Sequence, residues 1–421
     1  MKRFIFIGLI ITGLQAMADY DSLFYSYSLR IDYIHSGTAT EEYFSLAGMK
    51  QEPYWGGSTQ KLVDTFGYGT HMAQVFDSLG QLIYSRGYSS LFAEWQTTDE
   101  ARLLARSFEE TVVIPYPKNR IRLIISSRQR NGLFIPKFEL DIDPDDYFIR
   151  PAIRPQYEVF EVCVNRPSDQ AVDIVILPDG YTSDQIDLFK EDCQRFTDQL
   201  FSFEPYTSLS HFFNIRAVLA PSADSNIAVP AEGFWPETIL SSNFYTFDSE
   251  RYCMSTHHFT IRDLAGHVPY DQIYILTNTA KYGGGGIFNF YCLSSARNLQ
   301  TAAIIVHEFG HGFAGLADEY YDSSTAYSEF YDLDTEPWEP NITTLVDFSK
   351  KWELLLEPDT PVPTPDTDDW DGITGVFEGG GYSAKGIYRP ARDCLMHTFR
   401  NSVFCLACYQ AIEKMILFHA D

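Results

Sequence analysis

The sequence predicts an α+β multidomain protein: an all-β sandwich over residues 19–155, then a mixed α/β unit over residues 156–421. Three observations predict this. Residues 19 to about 150 carry short runs of β-forming side chains between closely set turn residues. The stretch Asp141-Ile142-Asp143-Pro144-Asp145-Asp146, followed by Arg150-Pro151 and Arg154-Pro155, has the proline and like charge of a boundary. All seven cysteines lie beyond residue 160, so the two units are built differently. A length of 421 residues agrees with two or three domains at ~150 residues each.

The chain opens with a basic pair, Lys2 and Arg3. A mostly apolar run follows from Phe4 to Leu14, then the small-x-small site Ala16-Met17-Ala18. This pattern predicts a signal peptide over residues 1–18 and an exported protein, periplasmic or secreted. The run is too short for a resident span, and no later segment has eighteen consecutive apolar residues, so no membrane span is expected after cleavage. The whole chain has 31 basic and 57 acidic residues, a net charge of -26. Cleavage would remove Lys2 and Arg3 and no acid, leaving 29 against 57, or -28. That balance argues against a nucleic-acid binder or a protein held to an anionic membrane, both of which need a basic surface.

Within the first unit, Tyr25 to Ile31 alternates large β-formers with polar residues, which predicts a half-buried strand. Thr111–Ile114, Arg120–Ile125 and Phe134–Ile142 read as further strands of a sandwich. His35 and His71 stand alone in sequence, and no ligand cluster is expected here.

After the boundary the pattern changes. Val172–Leu177 is a short apolar run, read as a buried strand, and Pro178-Asp179-Gly180 turns the chain. Thr182 with Gln185 forms a capping box for a helix running to about Phe201. Asn214–Leu219 and Gln272–Leu276 read as strands. This order predicts a parallel sheet with crossover helices.

The chemistry is expected in His307-Glu308-Phe309-Gly310-His311, on a helix whose apolar lead begins at Leu299. Positions i and i+4 lie ~40° apart on one helix face and ~6 Å apart along the axis, so both imidazoles can reach one ion. Glu308 is set beside the first histidine, where its carboxylate can approach a water at the ion. A zinc ion with an open position lowers the pKa of such a water to about 7, and Glu308 is expected to act as general base.

A catalytic zinc takes three protein ligands. Gly312 and Gly315 offer places to end the helix and turn back, because glycine accepts positive φ. The chain can then swing Asp318 toward the metal, with Glu319 competing for the role. Gly315-x-x-Asp318 resembles the metzincin arrangement, with one extra residue after His311 and a carboxylate as ligand. Metzincins also place a methionine in a tight turn beneath the metal. Met396, in Asp393-Cys394-Leu395-Met396-His397, fits that order, ahead of a C-terminal helix from about Phe404 to Phe418.

These segments together resemble the IgA peptidase family of secreted zinc metallopeptidases. The matching pieces are Ile174–Thr182, Tyr282–Gly286, His307–Tyr320, Gly375–Pro390, Cys394–Met396 and Phe404–Cys408, spanning about residues 160 to 415. The resemblance implies a metzincin-like zinc metallopeptidase domain after an N-terminal β-sandwich, with protein or peptide substrates. It does not imply that immunoglobulin A is cleaved.

Gly283, Gly284, Gly285 and Gly286 read either as a surface loop or as a cleft edge that pairs with an extended peptide. The resemblance favours the second, since metzincins hold substrate along a strand before the metal helix. No Gly-Lys-Ser/Thr follows, so this is not a phosphate loop. Cys405-x-x-Cys408 resembles half of a zinc ribbon or a redox pair, with no second C-x-x-C to complete a four-sulfur site. It reads as buried cysteines on a helix or as one disulfide to an upstream partner. Glu357–Asp371 is acidic and proline-rich and reads as a solvated loop, or second as a calcium site, although the spacing does not match an EF-hand loop. Tyr320, Tyr321, Tyr388 and His397 are candidate donors to the oxyanion. The function expected is a secreted zinc endopeptidase. The alternatives are a zinc amidase on cell-wall fragments, and a surface binding protein for a glycan or host protein with a vestigial metal site.

Overall fold

The computed structural model describes residues 19–152, 155–321, 331–398 and 403–420. The signal peptide read over residues 1–18 and Arg154 of the boundary lie outside these. No helix among the described residues is long and apolar enough to cross a membrane. The architecture is α+β, with many strands and few helices.

The first part opens with a one-turn helix, α1 (Tyr20–Leu23), and carries strands β1 (Phe24–Gly37), β2 (Glu42–Glu52), β3 (His71–Phe76), β4 (Leu82–Tyr88), β5 (Arg106–Pro117), β6 (Ile121–Arg128), β7 (Phe134–Ile142) and β8 (Arg150–Pro151). A short helix, α2 (Leu91–Trp95), lies between β4 and β5. The strands form two four-stranded sheets, ordered β5-β1-β2-β8 and β4-β3-β6-β7. Leu29, Ile31 and Tyr33 from the first sheet share one core with Val75, Leu123 and Ile125 from the second. Alternation puts these side chains on one face, and apolar burial holds the sheets together.

Ser26 of β1 faces water, as simple alternation predicts, but the polar residues in the middle of the strand do not. Arg30 and Asp32 are buried as well. The outer face of β1 is covered by a helix of the second part, α4 (His258–Ala265). Arg30 bonds Asp32 at 2.6 Å, Asp263 at 2.7 Å and the Phe259 carbonyl at 3.0 Å.

The second part is built on a six-stranded sheet ordered β13-β14-β12-β10-β11-β9. Its strands are β9 (Val159–Val164), β10 (Val172–Asp179), β11 (Phe213–Val218), β12 (Gln272–Thr277), β13 (Gly284–Ile287) and β14 (Tyr291–Ser295). β10 runs parallel to β11 and β12, and β12 runs parallel to β14; β9 and β13 close the two edges antiparallel. All eight residues of β10 are buried, as a strand covered on both faces requires. On one face Ile174 and Ile176 pack with helices α3 (Ile186–Leu200), α5 (Thr301–Ala314) and α6 (Leu406–Ala420). On the other, Val175 and Leu177 pack with α4 and with Leu91, Phe92 and Trp95 of α2. The two parts therefore share a core, tied also by Ser89 N–H to the Phe288 carbonyl at 2.8 Å and Asn289 Nδ2 to the Gly87 carbonyl at 2.7 Å. The capping box is present: Thr182 N–H donates to Gln185 Oε1 at 3.2 Å, just ahead of α3. A hairpin, β15 (Phe377–Gly380) and β16 (Ser383–Arg389), precedes α6.

Candidate active site

Helix α5 carries His307, Glu308 and His311 and ends at Gly315, whose φ of +65° reverses the chain. Only glycine takes this conformation at no steric cost. Gly312 stays inside the helix, where a Cβ would lie 2.1 Å from Cys292 Sγ; it brings α5 against β14. Beyond Gly315 the segment returns toward the helix, held by Ala317 N–H to Asn341 Oδ1 at 2.7 Å.

This return brings Asp318 to the histidines. His307 Nε2 and His311 Nε2 are 3.1 Å apart, and Asp318 Oδ1 lies 3.1 Å from the first and 3.4 Å from the second. Each imidazole places its other nitrogen on a backbone carbonyl: His307 Nδ1 on Leu395 at 3.1 Å, His311 Nδ1 on Leu316 at 2.6 Å. A ring that donates through Nδ1–H keeps a lone pair on Nε2. Three ligand atoms thus converge on one point, a donor set that suits a divalent cation. Burial works to raise the Asp318 carboxyl, but His311 and His307 override it and hold it well below its usual range.

Glu319 points elsewhere. Its Oε1 accepts from Asn341 Nδ2 at 3.0 Å, and its carboxylate groups with Cys394, Cys405 and Cys408. Adjacent residues on an extended segment face opposite ways.

Glu308 is half-buried beside His307, and burial pushes its carboxyl up, against the pull of the two imidazoles. It lies under the glycine segment. A Cβ on Gly284 would sit 3.2 Å from Glu308 Oε1, and one on Gly286 would sit 2.2 Å from the Glu308 carbonyl. The segment is the edge strand β13, running from Gly284, and Gly283 joins it through its carbonyl, which accepts from Ser295 N–H at 3.1 Å. Part of its outer edge is already engaged: Gly284 N–H donates to the Arg251 carbonyl at 3.1 Å, and the Gly284 carbonyl accepts from Cys253 N–H at 3.2 Å.

Met396 is fully buried, in the turn closed by His397 N–H to the Cys394 carbonyl at 2.8 Å. A Cβ on Gly310 would lie 3.1 Å from its Sδ, so the methionine packs against α5. Glu319 N–H donates to the Met396 carbonyl at 2.8 Å.

These groups open onto a cleft of about 1080 Å³ whose walls come from both parts of the chain. Tyr320, Tyr321 and His397 line it, and Tyr388 is not among its lining residues. Several lining residues were not foreseen. Tyr382 donates its hydroxyl to Asp318 Oδ2. Arg251 stands over the Tyr320 ring at 5.9 Å. Glu94 of α2 accepts from the Tyr252 hydroxyl, and burial raises its carboxyl to about 7. Tyr382 falls within the Gly375–Pro390 segment of the family resemblance, which does not mark its role; no sequence signal marks Arg251 or Glu94, each remote from α5 in the chain.

The first part also departs from expectation. His35 and His71, isolated in sequence, come together with Glu42, since β1 and β3 face each other across the sandwich.

A family model described as IgA Peptidase M64 matches residues 161–372 and 367–416. A second, described as Peptidase M64 N-terminus, matches residues 19–139. No curated protein matches the chain. With both models matched in order along most of its length, the chain belongs to the IgA peptidase M64 family and is a metallopeptidase.

Proposed function

We propose that the chain is an exported zinc endopeptidase of metzincin-like build, with domains at residues 19–155 and 156–421 and its substrate cleft between them. The observation that carries this reading is the convergence of His307 Nε2, His311 Nε2 and Asp318 Oδ1. Two imidazoles and a carboxylate are a donor set of catalytic zinc. Zinc held there supplies Lewis acidity and an activated water.

The chain's own residues do the rest. Leu395 and Leu316 carbonyls fix the ring orientations of His307 and His311, and Tyr382 holds Asp318 through its second oxygen. Glu308, desolvated and raised, accepts a proton from the attacking water on its carboxylate and returns one to the leaving amine. Arg251 and Tyr320 face the same space and are the candidates to donate to the oxyanion. An extended peptide fits along β13 beyond Gly284, where glycine keeps the edge free of side chains. Met396 supports the helix from below. Carboxylates outnumber guanidinium groups among the described residues lining the cleft, which favours cationic peptides.

The test is Glu308→Ala. It should keep metal and fold and lose hydrolysis by roughly 10²–10⁴-fold. Full activity in this variant would sink the reading. A cleavage profile on a peptide library, with chelator as control, reads metal dependence and the expected basic preference together.

A further inference from the structure

We propose that Glu319, Cys394, Cys405 and Cys408 form a second metal site, for a thiolate-preferring divalent cation of the zinc class. The four side chains come from three separate segments, and their ligand atoms all lie within 4.8 Å of one another. Cys405 and Cys408 flank the start of α6; Cys394 opens the turn that holds Met396; Glu319 follows Asp318. The half-motif Cys405-x-x-Cys408 thus finds its other half in a cysteine and a carboxylate distant in the chain.

The spacing favours a metal over a disulfide. Tetrahedral zinc with bonds of about 2.3 Å to sulfur sets its sulfurs roughly 3.8 Å apart. Cys394 Sγ and Cys408 Sγ are 3.8 Å apart, and Cys408 Sγ is 3.2 Å from Glu319 Oε1. A disulfide would engage two of the three thiols and leave the carboxylate unexplained. That carboxylate is the independent observation. Glu319 is 0% exposed, and its Oε2 has no hydrogen-bond partner. Burying a carboxyl oxygen without a partner is costly, and a coordinated cation removes the cost. Arg389, the guanidinium whose charge acts on Glu319, already donates to the Glu378 and Gly379 carbonyls and to Asp366. Two further contacts suit ligands. Cys405 N–H donates to Cys394 Sγ at 3.3 Å, and Asn341 donates to Glu319 Oε1. Such outer bonds orient ligands and spread their charge.

The site's role follows from what it joins. Glu319 is bonded to Asp318, and Cys394 to Leu395, whose carbonyl orients His307. An ion here would staple the two segments that position the histidine–aspartate group, behind that group and out of the cleft. It would not take part in the chemistry.

The test counts metal and thiols in the full chain. Zinc per chain is measured after exhaustive dialysis for wild type, for His307→Ala with His311→Ala, and for Cys405→Ser with Cys408→Ser. Wild type should hold two ions and each double variant one. The histidine variant leaves the cysteines untouched, so it keeps the test open if the cysteine variant fails to fold. Cobalt substitution of the histidine variant should give thiolate-to-metal charge-transfer absorption. Denatured in chelator, the wild type should show all seven thiols. Five thiols, or one wild-type ion that vanishes with the histidines, overturns the second site and leaves the proposed function standing. One wild-type ion that survives the histidine variant and is lost with the cysteines supports the second site and removes the proposed function.

Discussion

Two histidine–carboxylate clusters sit in the two parts of the chain, and they differ in what their atoms already do. The ligand atoms of His35, His71 and Glu42, like those of His307, His311 and Asp318, all lie within 4.8 Å of one another. In the first cluster the imidazole of His35 is used at both ends: Nδ1 bonds Glu110 at 3.1 Å and Nε2 bonds Glu42 at 3.2 Å. Glu42 is matched further by Ser127 and by Lys137, each at 2.9 Å. In the second cluster each Nδ1 goes to a neutral carbonyl, and both Nε2 atoms face a carboxylate oxygen. The first cluster is enclosed by Glu110, Ser127 and Lys137, and the second turns both Nε2 atoms and its carboxylate toward the cleft, where an ion can enter.

The comparison breaks most directly at the metal. His311→Ala should remove the catalytic ion and lower kcat/KM by about a thousandfold or more, the several kcal/mol a metal contributes to the transition state. His71→Ala should leave metal content and turnover per folded molecule unchanged and lower thermal stability instead. Metal analysis alongside a peptide assay separates them. Metal that leaves with His71 and stays with His311 would reverse the assignment.

A smaller effect is expected one bond further out. Tyr382→Phe removes the hydroxyl that holds Asp318 Oδ2, and should cost about 10–100-fold in zinc affinity or activity. A competitive chelator titration reads the affinity. No change in either quantity would mean that Asp318 is held without it.

How much of this was legible in the sequence differs between the two clusters for a physical reason. His307 and His311 lie one helical turn apart, so local geometry alone puts them on one face. Asp318 and Glu319 could not be separated, because the path after α5 depends on Gly315 and on the grip of Asn341, a residue far along the chain. His35 and His71 looked unrelated, since a sandwich joins residues across sheets with no periodic trace. Gly284–Ile287 carries little β-propensity and reads equally as loop. It is a strand because it pairs antiparallel with β14, and it is glycine-rich because Glu308 of α5 lies against Gly284 and Gly286 and Tyr252 and Met254 lie against Gly285. The strand at β1 was legible, but not its buried outer face, which depends on α4 and Arg30.

That close approach gives the third expectation. Gly286→Ala would put a methyl 2.2 Å from the Glu308 carbonyl and force β13 off α5. Overpacking of this kind costs about 1–3 kcal/mol, and activity should fall with it. Gly48→Ala in β2 meets nothing within 4 Å and should do neither. Thermal melts of the two variants, run together, test whether the catalytic part is the more tightly packed around its cluster.

The smallest effect, and the one that probes the first cluster from inside, is a pH dependence with two opposing signs. Burial lowers His71 to about 4, helped by the charge of His35. A histidine depressed in the fold contributes stability that is present above its unfolded pKa of about 6.5 and is lost as pH falls toward the folded value. Between pH 7 and 5.5 this amounts to about 1 kcal/mol of lost stability. Burial pulls His35 down too, but Glu110 and Glu42 outweigh it and raise its pKa. Its contribution has the other sign: full below about pH 6.5 and lost as pH rises through the elevated value. His71→Gln should therefore flatten the acid limb of the stability curve, and His35→Gln should flatten the limb above neutrality. Denaturant melts from pH 5.5 to 8 in the presence of zinc read both limbs. If the two variants flatten the same limb, the histidines are not divided into one charged and one neutral partner. The first cluster would then lose the internal balance that sets it apart from the second.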